Sequence, residues 1–333
     1  MLIKTYQLIF YIFLFIGTIL ACSSNSWFLA WLGLEVNLIM LIPLIIIKFD
    51  RITSEAAIKY FLAQAVGSIL LIFSSSIDAT INYSLIESEI DKIILCALVV
   101  KAGIAPFHFW FPQVIIASNW TLSIIILTWQ KIAPLILISF YPSIKFLTLF
   151  VILSSLVGML GGLNQIFIKN ILTYSSIAHS GWIAALTSIS LSGWIIYFLI
   201  YVFIVISIIS LTANSSLVKL NEIFLIKTNT TYKFIIIIRL LSLGGLPPLL
   251  GFLGKINAII IIIIKINPII ITTIILASLL SLFYYIKLTY NAILNSNQET
   301  KINNLKNNKI YPKYAIAITL TGNLMAPLLV SLI

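Results

Sequence analysis

Five charged residues of this sequence stand inside long apolar stretches: Glu35, Lys101, Lys131, Arg239 and Lys255. Desolvation favours the neutral form of a lysine, and an approaching carboxylate favours its ammonium again. A carboxylate that moves relative to a buried lysine therefore loads or unloads a proton, and lysine is the basic side chain suited to that role. Glu35 lies about 12 Å into its apolar block by helical rise, and Lys101 and Lys131 lie about half-way through theirs. Those two lysines are too deep to reach the surface by extending their stems. Lys255 follows Pro248 by seven residues, and either a proton site or a structural ion-pair partner fits it. Arg239 is only about five residues from the end of its block, so it is expected to snorkel to the interface. His179 has Ser175, Ser176 and Ser180 beside it, hydroxyls suited to a water chain. His108 follows Pro106; it either relays protons or hydrogen-bonds the carbonyls that the proline frees.

The chain that must position these groups has 333 residues, 61% of them hydrophobic and 9% charged. A soluble domain carries about a quarter of its residues charged, so this is a membrane protein. Its apolar blocks run to about 20 residues, the length that crosses a ~30 Å hydrocarbon core. They lack the period-two alternation of a membrane barrel, which leaves helices. Cys22 and Cys96 are far apart and form no Cys-x-x-Cys pair, so iron–sulfur and structural zinc sites are not expected. A bis-histidine haem would consume both histidines. Neither of the glycine-rich phosphate loops appears, so no dinucleotide or nucleoside triphosphate is expected on this chain. The net charge of +11 suggests nucleic acid, but the basic residues fall between the apolar blocks, where topology explains them better.

Hydropathy predicts an all-α, polytopic membrane protein of eleven spans. They lie near Ile3–Cys22, Trp27–Ile47, Ala57–Ser75, Ile90–Phe111, Thr121–Phe140, Phe146–Phe167, Tyr174–Ile189, Gly193–Ala213, Phe234–Ile264, Ile269–Thr289 and Tyr314–Ile333. The first block lacks a cleavage site after it and reads as a retained span. Sorted by side, thirteen basic residues, among them Lys48, Arg51, Lys59 and Lys169, share the face of Lys4. Only Lys92, Lys145 and Lys265 take the other, together with Asp78, Glu87, Glu89 and Asp91. That asymmetry obeys the positive-inside rule, with the N-terminus on the positive side and the C-terminus opposite. The four basic residues left over are those inside the spans, where a charge costs at least ~2.5 kcal/mol.

Two spans are interrupted. The ninth is too long for one crossing, about 46 Å as a straight helix, and holds Leu243-Gly244-Gly245-Leu246-Pro247-Pro248 at its middle. The fourth holds Lys101-Ala102-Gly103-Ile104-Ala105-Pro106. Proline removes a donor and clashes with the turn before it, so each span is expected to be a helix, an unwound turn and a second helix. Such breaks persist in a membrane only against protein or a hydrated cavity. Broken helices at matching places mark inverted repeats. The expected organisation is one transmembrane domain, residues 1–333, with repeats at about 1–142 and 143–292 and a C-terminal span at about 313–333.

Several stretches resemble one family closely: Trp31-Leu32-Gly33-Leu34-Glu35-Val36-Asn37, Ser54-Glu55-Ala56-Ala57-Ile58-Lys59-Tyr60-Phe61 and Lys101-Ala102-Gly103-Ile104-Ala105-Pro106-Phe107-His108-Phe109-Trp110. Thr128-Trp129-Gln130-Lys131-Ile132-Ala133-Pro134, Gly161-Gly162-Leu163-Asn164-Gln165, Tyr174-Ser175-Ser176-Ile177 and Leu241-Ser242-Leu243-Gly244-Gly245-Leu246-Pro247-Pro248 continue the match. Over about residues 25–290 the chain is similar to the antiporter-like membrane subunits of respiratory complex I, in an eleven-span form lacking three N-terminal spans of bacterial relatives. The resemblance implies a proton-translocating subunit of NADH:ubiquinone reductase in the mitochondrial inner membrane, its positive side in the matrix. It implies that Glu35 pairs with Lys101, that Lys131 bridges towards the second half, that Lys255 is the later proton site, and that His179 belongs to a hydrated axis. It also implies no redox centre or metal in this chain, with flavin, iron–sulfur clusters and quinone elsewhere in the complex. The implied partners are neighbouring antiporter-like and small membrane subunits and membrane lipids, with no nucleic acid. Two departures stand out: Gly254 where the family often has proline, and Lys169-Asn170 where it usually has Arg-Lys. A stand-alone cation/proton antiporter and a purely structural membrane subunit are the alternatives.

Overall fold

The computed structural model describes residues 5–46, 50–78, 84–140, 144–214, 230–247, 249–264 and 268–295. The eleventh expected span and most residues of the basic loops lie outside them. The described residues form thirteen helices and no strand element. They are α1 (Thr5–Ser23), α2 (Trp27–Ile45), α3 (Arg51–Asp78), α4 (Ser84–Ala102), α5 (Trp110–Ala117), α6 (Trp120–Leu127), α7 (Trp129–Ser139), α8 (Ile144–Gly162), α9 (Ile168–Thr187), α10 (Leu191–Asn214), α11 (Thr230–Gly244), α12 (Leu250–Ile263) and α13 (Pro268–Asn295). Among the described residues, six helical segments are long and apolar enough to cross a membrane: α1, α2, α3, Trp120–Ser139, Leu191–Ala213 of α10 and Pro268–Lys287. The chain divides into two compact units, Met1–Ser154 and Ser155–Ile333.

Several helices outrun their apolar blocks. α3 begins at Arg51 rather than Ala57, because the amides of Thr53 and Ser54 both bond Asp50 O at 3.1 Å and start the helix in polar sequence. Hydropathy marks what a bilayer covers, and hydrogen bonding carries the helix past it. The fifth expected span is not one helix either. The helix is interrupted at Thr128 (φ −117°, ψ −69°), between α6 and α7, and Pro134 removes an amide from α7.

In the first unit α1 and α2 touch backbone to backbone. A Cβ on Gly33 would lie 2.7 Å from Gly17 O and 2.6 Å from Ala21 N, the close approach that small residues permit between membrane helices. Around this pair α3 packs on α2 and α4, and α7 packs on α1 and α4. In the second unit α9 is central, buried along most of its length and packed against α10, α12 and α13. Its Thr, Ser, Ala and Gly residues allow that: a Cβ on Gly158 of α8 would stand 2.5 Å from Ala178 N.

Candidate functional site

Both breaks end their helix in the same way. At the end of α4, Gly103 takes φ +69°, its amide bonds Val100 O, and the Ile104 amide bonds Val99 O, each at 3.2 Å. At the end of α11, Gly245 takes φ +82°, its amide bonds Ser242 O at 3.1 Å, and the Leu246 amide bonds Leu241 O at 3.3 Å. This paired return of amides around a left-handed glycine is the Schellman cap, and glycine suits it because it lacks a Cβ. Carbonyls of each last turn, which the helix itself leaves short of partners, also accept side chains.

In the first unit the Trp110 indole donates to Val100 O at 3.3 Å and Gln64 Nε2 donates to Lys101 O at 3.2 Å. These bonds fix the turn that carries Lys101, which is 4% exposed. Its Nζ lies 4.0 Å from Glu35 Oε1. Both atoms are buried and make no hydrogen bond. Two opposite charges at that separation attract strongly in a low dielectric while the proton remains on one group. The stem of Lys101 is wedged as well, since a Cβ on Gly67 of α3 would meet its Cγ at 3.0 Å. Lys131, 2% exposed, places Nζ 5.0 Å from the centre of the Phe111 ring, a cation–π distance. Phe111 itself packs where a Gly103 Cβ would point, 3.5 Å away. Lys101 and Lys131 are thus both tied to the first break. An amide clamp joins α7 to α2: Gln130 Nε2, beside Lys131 in sequence, donates to Asn37 Oδ1 at 2.7 Å, two residues from Glu35. Trp129 Nε1 donates to Thr18 Oγ1 at 3.0 Å and ties α7 to α1.

His108 stays apart from this group. Its Nδ1 lies 3.2 Å from Pro106 O and its ring leans on Phe109, the partnership expected if it serves the carbonyls freed by the turn.

In the second unit Lys255, 8% exposed, reaches back from α12 and donates from Nζ to Gly244 O at 2.7 Å. A cation on the last carbonyl of α11 also meets the negative end of that helix. His179 lies on the same helix face as Ser175 and Ser176 and places Nδ1 2.8 Å from Tyr197 Oη. His179 and Lys255 line one cavity of about 10 Å³ with Ser175, Ser281, Tyr284 and Tyr285, a volume that one water molecule fills.

Arg239 corrects an expectation. It does not snorkel: it is 1% exposed, its guanidinium lies 5.7 Å from the Phe203 ring centre, and Nη1 and Nη2 have no hydrogen-bond partner. Counting residues from a span end fails here because α11 is covered by α10, α12 and α13. Other participants were missed by sequence reasoning although their types were legible. Asn37 and Gln64 are the lone amides in their apolar blocks. Tyr197, Tyr284 and Tyr285 carried no such mark, since tyrosine is common in this composition. Among the described residues no group of three or more His, Cys, Asp or Glu is placed to hold a metal ion.

Buried lysines at two identically capped helix breaks, in an apolar helical chain, define an ion-translocating membrane protein. A family model described as NADH:quinone oxidoreductase/Mrp antiporter, transmembrane, matches residues 24–281. The NADH-ubiquinone oxidoreductase chain 2 of Anopheles gambiae is 42% identical over 310 residues, 91% of each chain. A chain of respiratory complex I from Thermus thermophilus, solved with bound aureothin, superposes with a TM-score of 0.84 at 23% identity, covering 97% of this chain and 77% of that one. The Mrp complex of a Dietzia species gives a TM-score of 0.74 at 17% identity, covering 84% of this chain and 59% of its own. At those identities the structural likeness is one of fold. The chain belongs to the NADH:quinone oxidoreductase/Mrp antiporter family, in its NADH-ubiquinone oxidoreductase chain 2 branch.

Proposed function

We propose that this chain moves protons across the mitochondrial inner membrane as an antiporter-like subunit of respiratory complex I, alongside the other membrane-arm subunits. In this reading it has eleven spans, two five-span repeats of opposite topology and a last span, with the N-terminus in the matrix and the C-terminus in the intermembrane space. Flavin, iron–sulfur clusters and quinone belong to other subunits. The observation that carries the reading is the pairing of buried Lys101 with half-buried Glu35 at 4.0 Å, held beside the first helix break. With Glu35 close, Lys101 keeps its proton. When Glu35 withdraws, a buried ammonium is left without its counter-charge, which favours release. Lys131 at the same break is the next acceptor, and His179, then Lys255, serve the second unit. His108 is the outlying candidate, held at Pro106 O.

Lys101→Ala in the assembled complex tests this. Proton translocation per electron and NADH oxidation are both expected to fall severalfold, measured in vesicles with a pH-sensitive dye and by absorbance. Normal values of both would overturn the mechanism. Cation exchange by the isolated chain in liposomes would favour a stand-alone antiporter instead.

A further inference from the structure

We infer that Trp31 of α2 is a positioning residue: its indole N–H is the second seat of the Glu35 carboxylate, taken when that carboxylate leaves Lys101. The inference rests on the proton path proposed above and gives the withdrawn Glu35 a place to go.

Three polar atoms in this part of the first unit are buried without a hydrogen-bond partner: Glu35 Oε1, Lys101 Nζ and Trp31 Nε1. Folded proteins pair the great majority of such atoms, so an unpaired indole donor one turn from an unpaired carboxylate oxygen calls for a reason. Trp31 and Glu35 are spaced i, i+4 and share a face of α2. Long side chains in a helix lean towards its N-terminus, which carries the Glu35 carboxylate over the turn of Trp31. The indole is anchored there, its ring 5.8 Å from that of Phe28 between centroids. Towards Lys101, Oε1 stands 4.0 Å from Nζ, an ion-pair separation longer than a hydrogen bond. Other donors of the region are engaged: Gln64 Nε2 with Lys101 O at 3.2 Å and Gln130 Nε2 with Asn37 Oδ1 at 2.7 Å. Tyr60 of α3, 2% exposed and within electrostatic range of Glu35, is the competing candidate.

The two seats differ in what they do to Lys101. Beside the carboxylate its ammonium keeps the proton. A charge-assisted N–H···O⁻ bond from the indole holds Glu35 as an anion elsewhere, and the Lys101 cation is left buried alone. Lys101 then passes its proton to the next acceptor of the path and becomes the neutral amine. Glu35 stays a carboxylate throughout, and the indole keeps its hydrogen because tryptophan only donates. Return of the carboxylate favours the ammonium again. Without the indole, the withdrawn carboxylate has no fixed donor to meet, and withdrawal is disfavoured.

The test uses the assembled complex with Trp31→Phe, Glu35→Gln, the double variant and Tyr60→Phe. Phenylalanine at 31 keeps a ring against Phe28 and removes the N–H. Protons moved per electron are read in vesicles, with complex content checked on native gels. Trp31→Phe is expected to assemble and to lose most of what Glu35→Gln loses. The double variant should fall no lower than Glu35→Gln, because the indole acts only through that carboxylate. A further drop in the double variant would make Trp31 merely structural and overturn the inference. A loss in Glu35→Gln with a normal ratio in Trp31→Phe also overturns it and leaves the path standing; a loss in Tyr60→Phe beside that result moves the seat to Tyr60. A normal ratio in Glu35→Gln would overturn the path itself. Density maps of the unmodified complex during turnover give a second reading. A Glu35 population within hydrogen-bond distance of Trp31 Nε1 is expected, and its absence overturns the inference even if Trp31→Phe fails to assemble.

Discussion

The three deep lysines differ from Arg239 in the one property that matters for moving protons. An amine inside a protein can release its proton, whereas a guanidinium keeps its charge. Lys101 faces a carboxylate at 4.0 Å, Lys131 an aromatic face and Lys255 a helix-terminal carbonyl, three settings that hold an ammonium without neutralising it. Lys101→Arg separates a static ion pair from a titrating one. It keeps a cation opposite Glu35, yet proton translocation should be as poor as in Lys101→Ala; recovery would make the pair structural. Arg239 is a fixed charge with Nη1 and Nη2 unpartnered, and a buried cation without hydrogen bonds is destabilising. Arg239→Met is therefore expected to leave the proton-to-electron ratio unchanged and the thermal stability of the complex equal or higher, by activity remaining after heating. A fall in the ratio would place Arg239 in the path.

The elements that carry the candidate site are helices interrupted within apolar sequence. Gly103 and Gly245 take the left-handed region that costs other residues about 1–2 kcal/mol, and the amides they return satisfy the carbonyls the break exposes. Gly245→Ala adds to that cost a methyl 2.9 Å from Lys255 Cδ, so it should dislodge Lys255 from Gly244 O and lower proton translocation in complexes that assemble. Gly254→Ala, one residue before Lys255, meets nothing closer than 3.5 Å and should assemble and pump normally. Equal effects of the two changes would dissociate the cap from function. Both breaks were legible in sequence because glycine and proline inside an apolar block leave few alternatives. The interruption at Thr128 was not, because threonine is tolerated in helices and carries no signal of a break. Glu35 and its lysines were legible as charges out of place, and their pairing followed from resemblance rather than from spacing. The tyrosines around His179 were hidden because nothing in a sequence places α13 beside α9.

At the scale of the molecule, each compact unit repeats one plan: a glycine-capped break, a buried lysine tied to it and a second titratable group nearby. Glu35 lies beside Lys101 and Lys131 stands over Phe111 at the break in the first unit, and His179 lines one cavity with Lys255 in the second. The central claim is that these two clusters are successive stations of one proton path. Stations in series are not additive when removed, because blocking either stops the same proton. The most direct measurement is the number of protons translocated per electron by complexes carrying Lys101→Ala, Lys255→Ala and both changes, at matched complex content. Each single change should lower the ratio, and the double change should lower it no further. An unchanged ratio in both single variants, or a double loss equal to the sum of two independent ones, would contradict a single path through this chain.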